Sequence, residues 1–130
     1  MHRILLVDDD ESFRKMLHVT LERDGYDVVD ARDGNEALRQ FRSQPPDLVV
    51  TDLIMPDKEG LETIIELRAS QPEIKIIAMS GGSRNSPGDY LKVARQLGAA
   101  RILSKPFFVG ELLDAIKLVL SSNPAKEPVS

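Results

Sequence analysis

Short β-branched runs alternate five times with longer stretches of helical periodicity, and this alternation restricts the folds open to the chain. Ile4 to Val7 is the first run, and Phe13, Met16, Leu17 and Leu21 follow it at the spacing of one helix face. Asp27 to Ala31 predicts a second strand, and Ala37, Leu38 and Phe41 a helix that Pro45 and Pro46 bring to an end. Leu48 to Thr51 predicts the third strand, with Leu61, Ile64 and Ile65 marking a helix stopped at Gln71 and Pro72. Ile74 to Met79 is the fourth strand, Asp89 to Leu97 a helix ended by Gly98, and Ala100 to Leu103 the fifth strand. Leu112, Leu113, Ile116, Val119 and Leu120 form the apolar face of a last helix. A regular (βα)5 chain of 130 residues makes one α/β domain: a mostly parallel, doubly wound sheet with helices on both faces. The domain is expected over residues 1–121, with 122–130 a flexible tail or the start of a linker, since that segment has two prolines and no periodicity.

In open sheets of this kind, function sits at the carboxyl ends of the strands. Asp8, Asp9 and Asp10 come just after the first strand and Asp52 just after the third, Ser80 follows the fourth, and Lys105 with Pro106 follows the fifth. The topology therefore brings acids, a hydroxyl and a cation to one edge. Two carboxylates about 4 Å apart repel by about 4 kcal/mol at an effective dielectric near 20, so the cluster calls for a neutralising cation. Cysteine is absent, which excludes disulfides, thiolate nucleophiles and thiol zinc sites and leaves oxygen as the metal donor. Magnesium, with its preference for a few carboxylates and several waters, suits such a cleft. Lys105 can pair with one phosphoryl oxygen and the Ser80 hydroxyl can donate to another.

Simpler roles exist for the same residues. Asp9 or Asp10 can cap the first helix, Asp52 can belong to the turn before Met55 and Pro56, and Ser80 can open a flexible loop with Gly81 and Gly82. His2 and His18 read as surface or edge residues, and Met16, Met55 and Met79 as packing. A net charge of −4 argues against affinity for nucleic acid. No apolar run is long enough to span a bilayer, so a cytoplasmic location is expected.

The strings ILLVDDDES, PDLVVTDLIMP, IIAMSG and LGAARILSKPF resemble, in order and nearly in spacing, the marker segments of response-regulator receiver domains of two-component signalling. The likeness runs from about Arg3 to Leu120. It implies a flavodoxin-like sheet of strand order 2-1-3-4-5. By position it makes Asp52 the phosphoacceptor, Asp9 a direct magnesium ligand, Asp8 a ligand through water and the Ile54 main-chain carbonyl a further ligand, with manganese able to replace magnesium. Ser80 and Lys105 take the places of the family's switch hydroxyl and active-site lysine, and Pro106 follows in what is often a cis peptide. The implied partners are a histidine kinase or histidine phosphotransfer protein and a downstream protein target. The implied activity is phosphoacceptance with self-catalysed transfer and dephosphorylation rather than turnover, in a monomer or a phosphorylation-dependent dimer. The switching surface is expected around the 89–97 helix, the fifth strand and the last helix.

Two features depart from the family pattern. Ile102 stands where many receivers carry Tyr or Phe, so the usual aromatic switch cannot operate in that form. The Gly81 to Gly88 segment is about three residues longer than the common pattern, a length that costs little in a surface loop. Ile54 offers no polar side chain to orient a water, so slow to moderate autodephosphorylation is expected. Other functions remain to be weighed: a receiver-like protein-binding module that signals without phosphorylation, and an aspartate-nucleophile phosphatase. The latter needs a second Asp where the chain has Ile54. With no output domain in sight, a stand-alone receiver is expected unless the tail is a linker.

Overall fold

The computed structural model describes residues 1–53, 60–81, 96 and 98–121. Its five strands are β1 (Arg3–Val7), β2 (Asp27–Ala31), β3 (Leu48–Asp52), β4 (Lys75–Gly81) and β5 (Arg101–Lys105). All neighbours pair in parallel, in the order β2-β1-β3-β4-β5. The described helices are α1 (Glu11–Arg23), α2 (Gly34–Ser43), α3 (Gly60–Ser70) and α4 (Val109–Ser121). None of them is long and apolar enough to cross a membrane.

Alternation along each strand divides the core in two, because successive side chains point to opposite faces. Leu5, Val7, Val29, Val49, Ile76 and Ala78 join Ala37, Leu38 and Phe41 of α2 and Ile64 and Leu67 of α3 on one face. Ile4, Leu6, Val28, Val50, Ile77 and Met79 join Leu17 and Leu21 of α1 and Leu112, Ile116 and Val119 of α4 on the other. β3, at the centre, is buried along its whole length, as a strand covered on both faces must be. Local chemistry fixes where the helices begin. Asp10 caps α1 by accepting from the Phe13 N–H at 3.0 Å, and Asp33 caps α2 by accepting from the Glu36 N–H at 2.8 Å.

The expected strand order holds, and among the described residues a helix follows each of β1, β2, β3 and β5, but the strand ends move. β4 runs on through Ser80 to Gly81 and β5 through Ser104 to Lys105, where the ladder pairs Ser80 with Ser104 and Gly81 with Lys105. Ser80 and Lys105 thus lie within the ends of strands rather than at the start of loops. Hydrophobicity stops at Met79 and Leu103, whereas backbone pairing continues for two residues more. Helix faces shift as well: Ile65 is exposed and α3 buries Thr63, Ile64 and Leu67, while Met16 projects from α1 into solvent. The expected 89–97 helix falls outside the described residues apart from Gln96. Also outside them are Ile54 and Met55, the 82–88 part of the long loop and the 122–130 tail. Gly98, expected to end that helix, takes φ +94°.

Candidate phosphoacceptor site

The parallel register carries the candidate residues to one edge. Asp52 ends β3 opposite Met79, Asp8 directly follows β1 with its N–H bonded to the Ala31 carbonyl at 3.1 Å, and Lys105 ends β5. Asp8 is fully buried, Asp52 is 7% exposed and Ser80 2%, whereas Asp9 lies exposed. One carboxylate oxygen from each of Asp8, Asp9 and Asp52 falls within 4.8 Å of the others. The Lys105 ammonium sits 2.7 Å from Asp8 Oδ2 and 3.7 Å from Asp52 Oδ2.

Several bonds hold the acids in place. Asp8 Oδ1 accepts from the Asp10 N–H at 2.9 Å, and Arg14 donates to the Asp8 carbonyl at 2.7 Å. The same aspartate therefore braces the residue that caps α1. Behind Asp52, the Thr51 hydroxyl donates to the Asp52 carbonyl at 2.9 Å, the Leu53 N–H to Met79 and the Gly60 N–H to Leu53. Gly60 starts α3 so close to this turn that a Cβ there would collide with the Asp52 carbonyl oxygen and come within 2.7 Å of Leu53 Cα. Among the described residues the buried Ser80 hydroxyl oxygen has no hydrogen-bond partner, so it is available to an incoming acceptor.

Among the described residues three aspartates face one lysine here, a formal excess of two negative charges. Their oxygens are hard donors, and the exposure of Asp9 leaves one side open to water. A hexahydrated divalent cation fits this donor set by exchanging a few waters for carboxylate oxygens. Ile54, whose carbonyl was expected as a further ligand, lies outside the described residues. The Lys105–Pro106 bond is cis.

Three neighbours of the site escaped the sequence reading. Gly60 carries no motif signal. Arg14 carries none either. Phe13 packs on the core face of α1 as its spacing predicts, and its ring also lies under the Lys105 ammonium at 4.4 Å to the centroid. Ile102 is partly buried and packs against the α2–α3 side of the core.

Comparison with known proteins agrees with this fold. A family model described as the response regulator receiver domain matches residues 4–117. The chain is 35% identical over 129 residues to the alkaline phosphatase synthesis transcriptional regulatory protein PhoP of Bacillus subtilis, covering 98% of the chain and 52% of PhoP. It is 38% identical over 118 residues to the response regulator MprA of Mycolicibacterium vanbaalenii, covering 91% and 50% respectively. The chain thus spans about half the length of these curated relatives. Among solved structures, the response regulator TrrA of Thermotoga maritima, in complex with Mg(2+)-BeF, is similar at a TM-score of 0.78 and 34% identity, with 92% of this chain and 99% of that one covered.

Proposed function

Since the chain belongs to the response regulator receiver domain family of two-component signalling, we propose that it accepts a phosphoryl group on Asp52 from a phosphohistidine in a partner protein. The observation that carries this reading is the setting of Asp52: nearly buried at a strand end, with Asp8 and Asp9 oxygens within 4.8 Å and the Lys105 ammonium at 3.7 Å. In this reading an Asp52 oxygen attacks phosphorus in line. A P–O bond forms, the P–N bond to the partner's imidazole breaks, and the imidazole nitrogen leaves with the electron pair.

Lys105 moves from Asp8 toward the charge gathering on the phosphoryl oxygens, and Ser80 donates its unpaired hydroxyl to one of them. Asp8 and Asp9, with Asp52 itself, would hold magnesium, which when bound supplies charge neutralisation at the equatorial oxygens. The BeF complex of the Thermotoga relative is consistent with such a pocket. The acyl phosphate adds charge and acceptor atoms, and drawing Ser80 inward biases a surface used by a downstream protein. The domain is a phosphoacceptor rather than a turnover enzyme, and a cytoplasmic location accords with a histidine kinase or phosphotransfer protein as donor.

The test is labelling with phosphoramidate or acetyl phosphate in the presence of magnesium. Intact mass should rise by one phosphoryl group, and Asp52→Asn should abolish the gain. A wild-type chain that stays unlabelled under both donors overturns the reading.

A further inference from the structure

The lysine of this site has an aromatic support that its reading as a bare point charge leaves out. Lys105 ends in a compact ammonium on a flexible four-carbon stem, and an exposed lysine at a strand end would spread over many rotamers. Here the Nζ lies 4.4 Å from the centroid of the Phe13 ring, well inside the range in which the negative face of an aromatic ring attracts a cation. The ring is itself held. The N–H of Phe13 makes the capping bond to Asp10, and its ring meets Phe107 in a T-shaped contact at 6.0 Å and 77°. Asp10 is in turn bonded to Asp8, so the residue that accepts from Lys105 also fixes the helix turn that presents Phe13.

A ring face attracts the ammonium without taking any one of its three N–H groups, so those stay free for oxygen acceptors. The attraction survives a short lateral shift of the ammonium as long as it stays over the ring face. That property matches the movement required of Lys105, from Asp8 Oδ2 at 2.7 Å toward oxygens on Asp52, whose nearer oxygen is at 3.7 Å. We propose that Phe13 is a positioning residue for phosphoryl transfer: its ring, braced by Phe107, keeps the Lys105 ammonium over the gap between Asp8 and Asp52 while the lysine changes partners. The proposal rests on the reading of Asp52 as phosphoacceptor.

The experiment compares wild-type protein with Phe13→Leu, Phe13→Tyr and a fluorinated phenylalanine at position 13, which keeps the ring's shape and weakens its negative face. In the wild type, NMR should find the Lys105 ε-methylene protons shifted upfield by the ring current. Phe13→Leu should abolish that shift and slow phosphoramidate labelling by about two- to tenfold. Phe13→Tyr should restore most of the lost rate, and fluorination should lower the rate with the fold intact. In a Lys105→Ala background, Phe13→Leu should cause no further slowing, because a residue that acts through Lys105 has nothing left to position. Equal labelling by wild type and Phe13→Leu, or an undiminished penalty in the Lys105→Ala background, overturns the role of Phe13 and leaves Asp52 standing. A wild-type chain that does not label overturns the Asp52 reading and this role together.

Discussion

At Gly60 the backbone of α3 comes so near the turn after β3 that there is no room for a side chain. A methyl group there must push on the Asp52 carbonyl, which also accepts from the Thr51 hydroxyl. Gly60→Ala is therefore expected to cost about 1–3 kcal/mol in urea unfolding, as overpacking of a tight site does, and to slow labelling of Asp52 as well. A neutral result on both counts would mean that the turn relaxes freely. His18, on α1, is a second residue whose surroundings outweigh its sequence context. Partial burial disfavours its charged form, but the bond and charge of Asp30 at 2.5 Å, with Glu22 at 3.3 Å, prevail and raise its pKa above 6.5. Arg14, facing Asp30 at 3.5 Å, is the nearby cation. A pKa raised on folding contributes stability that is complete below the unfolded value of about 6.5 and fades as pH climbs through the folded value. His18→Gln should thus lose about 1 kcal/mol near pH 6, the low end for a charge-assisted bond in a partly solvated pair, and progressively less toward pH 9. A loss that grows with pH would contradict the sign.

Secondary structure was legible wherever burial and pairing coincide, and became blurred where they part. β2 matches its sequence reading from Asp27 to Ala31, because its apolar residues Val28, Val29 and Ala31 fall within its pairing. β4 and β5 outrun theirs because the ladder goes on through Ser80 and Lys105, polar residues that hydropathy takes for loop. In α3, two adjacent isoleucines left the buried face open between neighbouring orientations, and packing chose Ile64 over Ile65. The candidate site was legible because strand ends are few and a parallel sheet aligns them. Phe13 and Gly60 were not, since the chain position of a phenylalanine on a helix face, or of a glycine before a helix, does not reveal what lies across the fold. The start of α1 offers a direct test of how far one cap governs this edge. Asp10→Ala removes the bond to the Phe13 N–H and should destabilise the domain by about 1 kcal/mol in chemical denaturation. The same change should weaken the ring-current shift at Lys105, whereas an unchanged shift would show that Phe107 alone holds the ring.

For the molecule as a whole, the sheet that aligns the strand ends also forces three carboxylates together, and folding has to meet that repulsion. Asp8 can share its charge with Lys105 and the Asp10 N–H, and the nearly buried Asp52 has the Lys105 ammonium at 3.7 Å. Asp9 is exposed, and it adds charge to a cluster that, among the described residues, Lys105 alone does not balance. Neutralising Asp9 should therefore relieve the fold while damaging the pocket, the usual trade between stability and a strained functional site. In chelator, Asp9→Asn is expected to gain about 1 kcal/mol, or about 2–6 °C in melting temperature for a domain of this size. Adding magnesium should raise the melting temperature of the wild type, because a ligand that binds only the folded state stabilises it by mass action. The variant should gain much less, so the two melting curves converge or cross as magnesium increases. Parallel curves, with both proteins stabilised alike, would mean that the ion binds away from Asp9 and that the repulsion at this edge is relieved by other means.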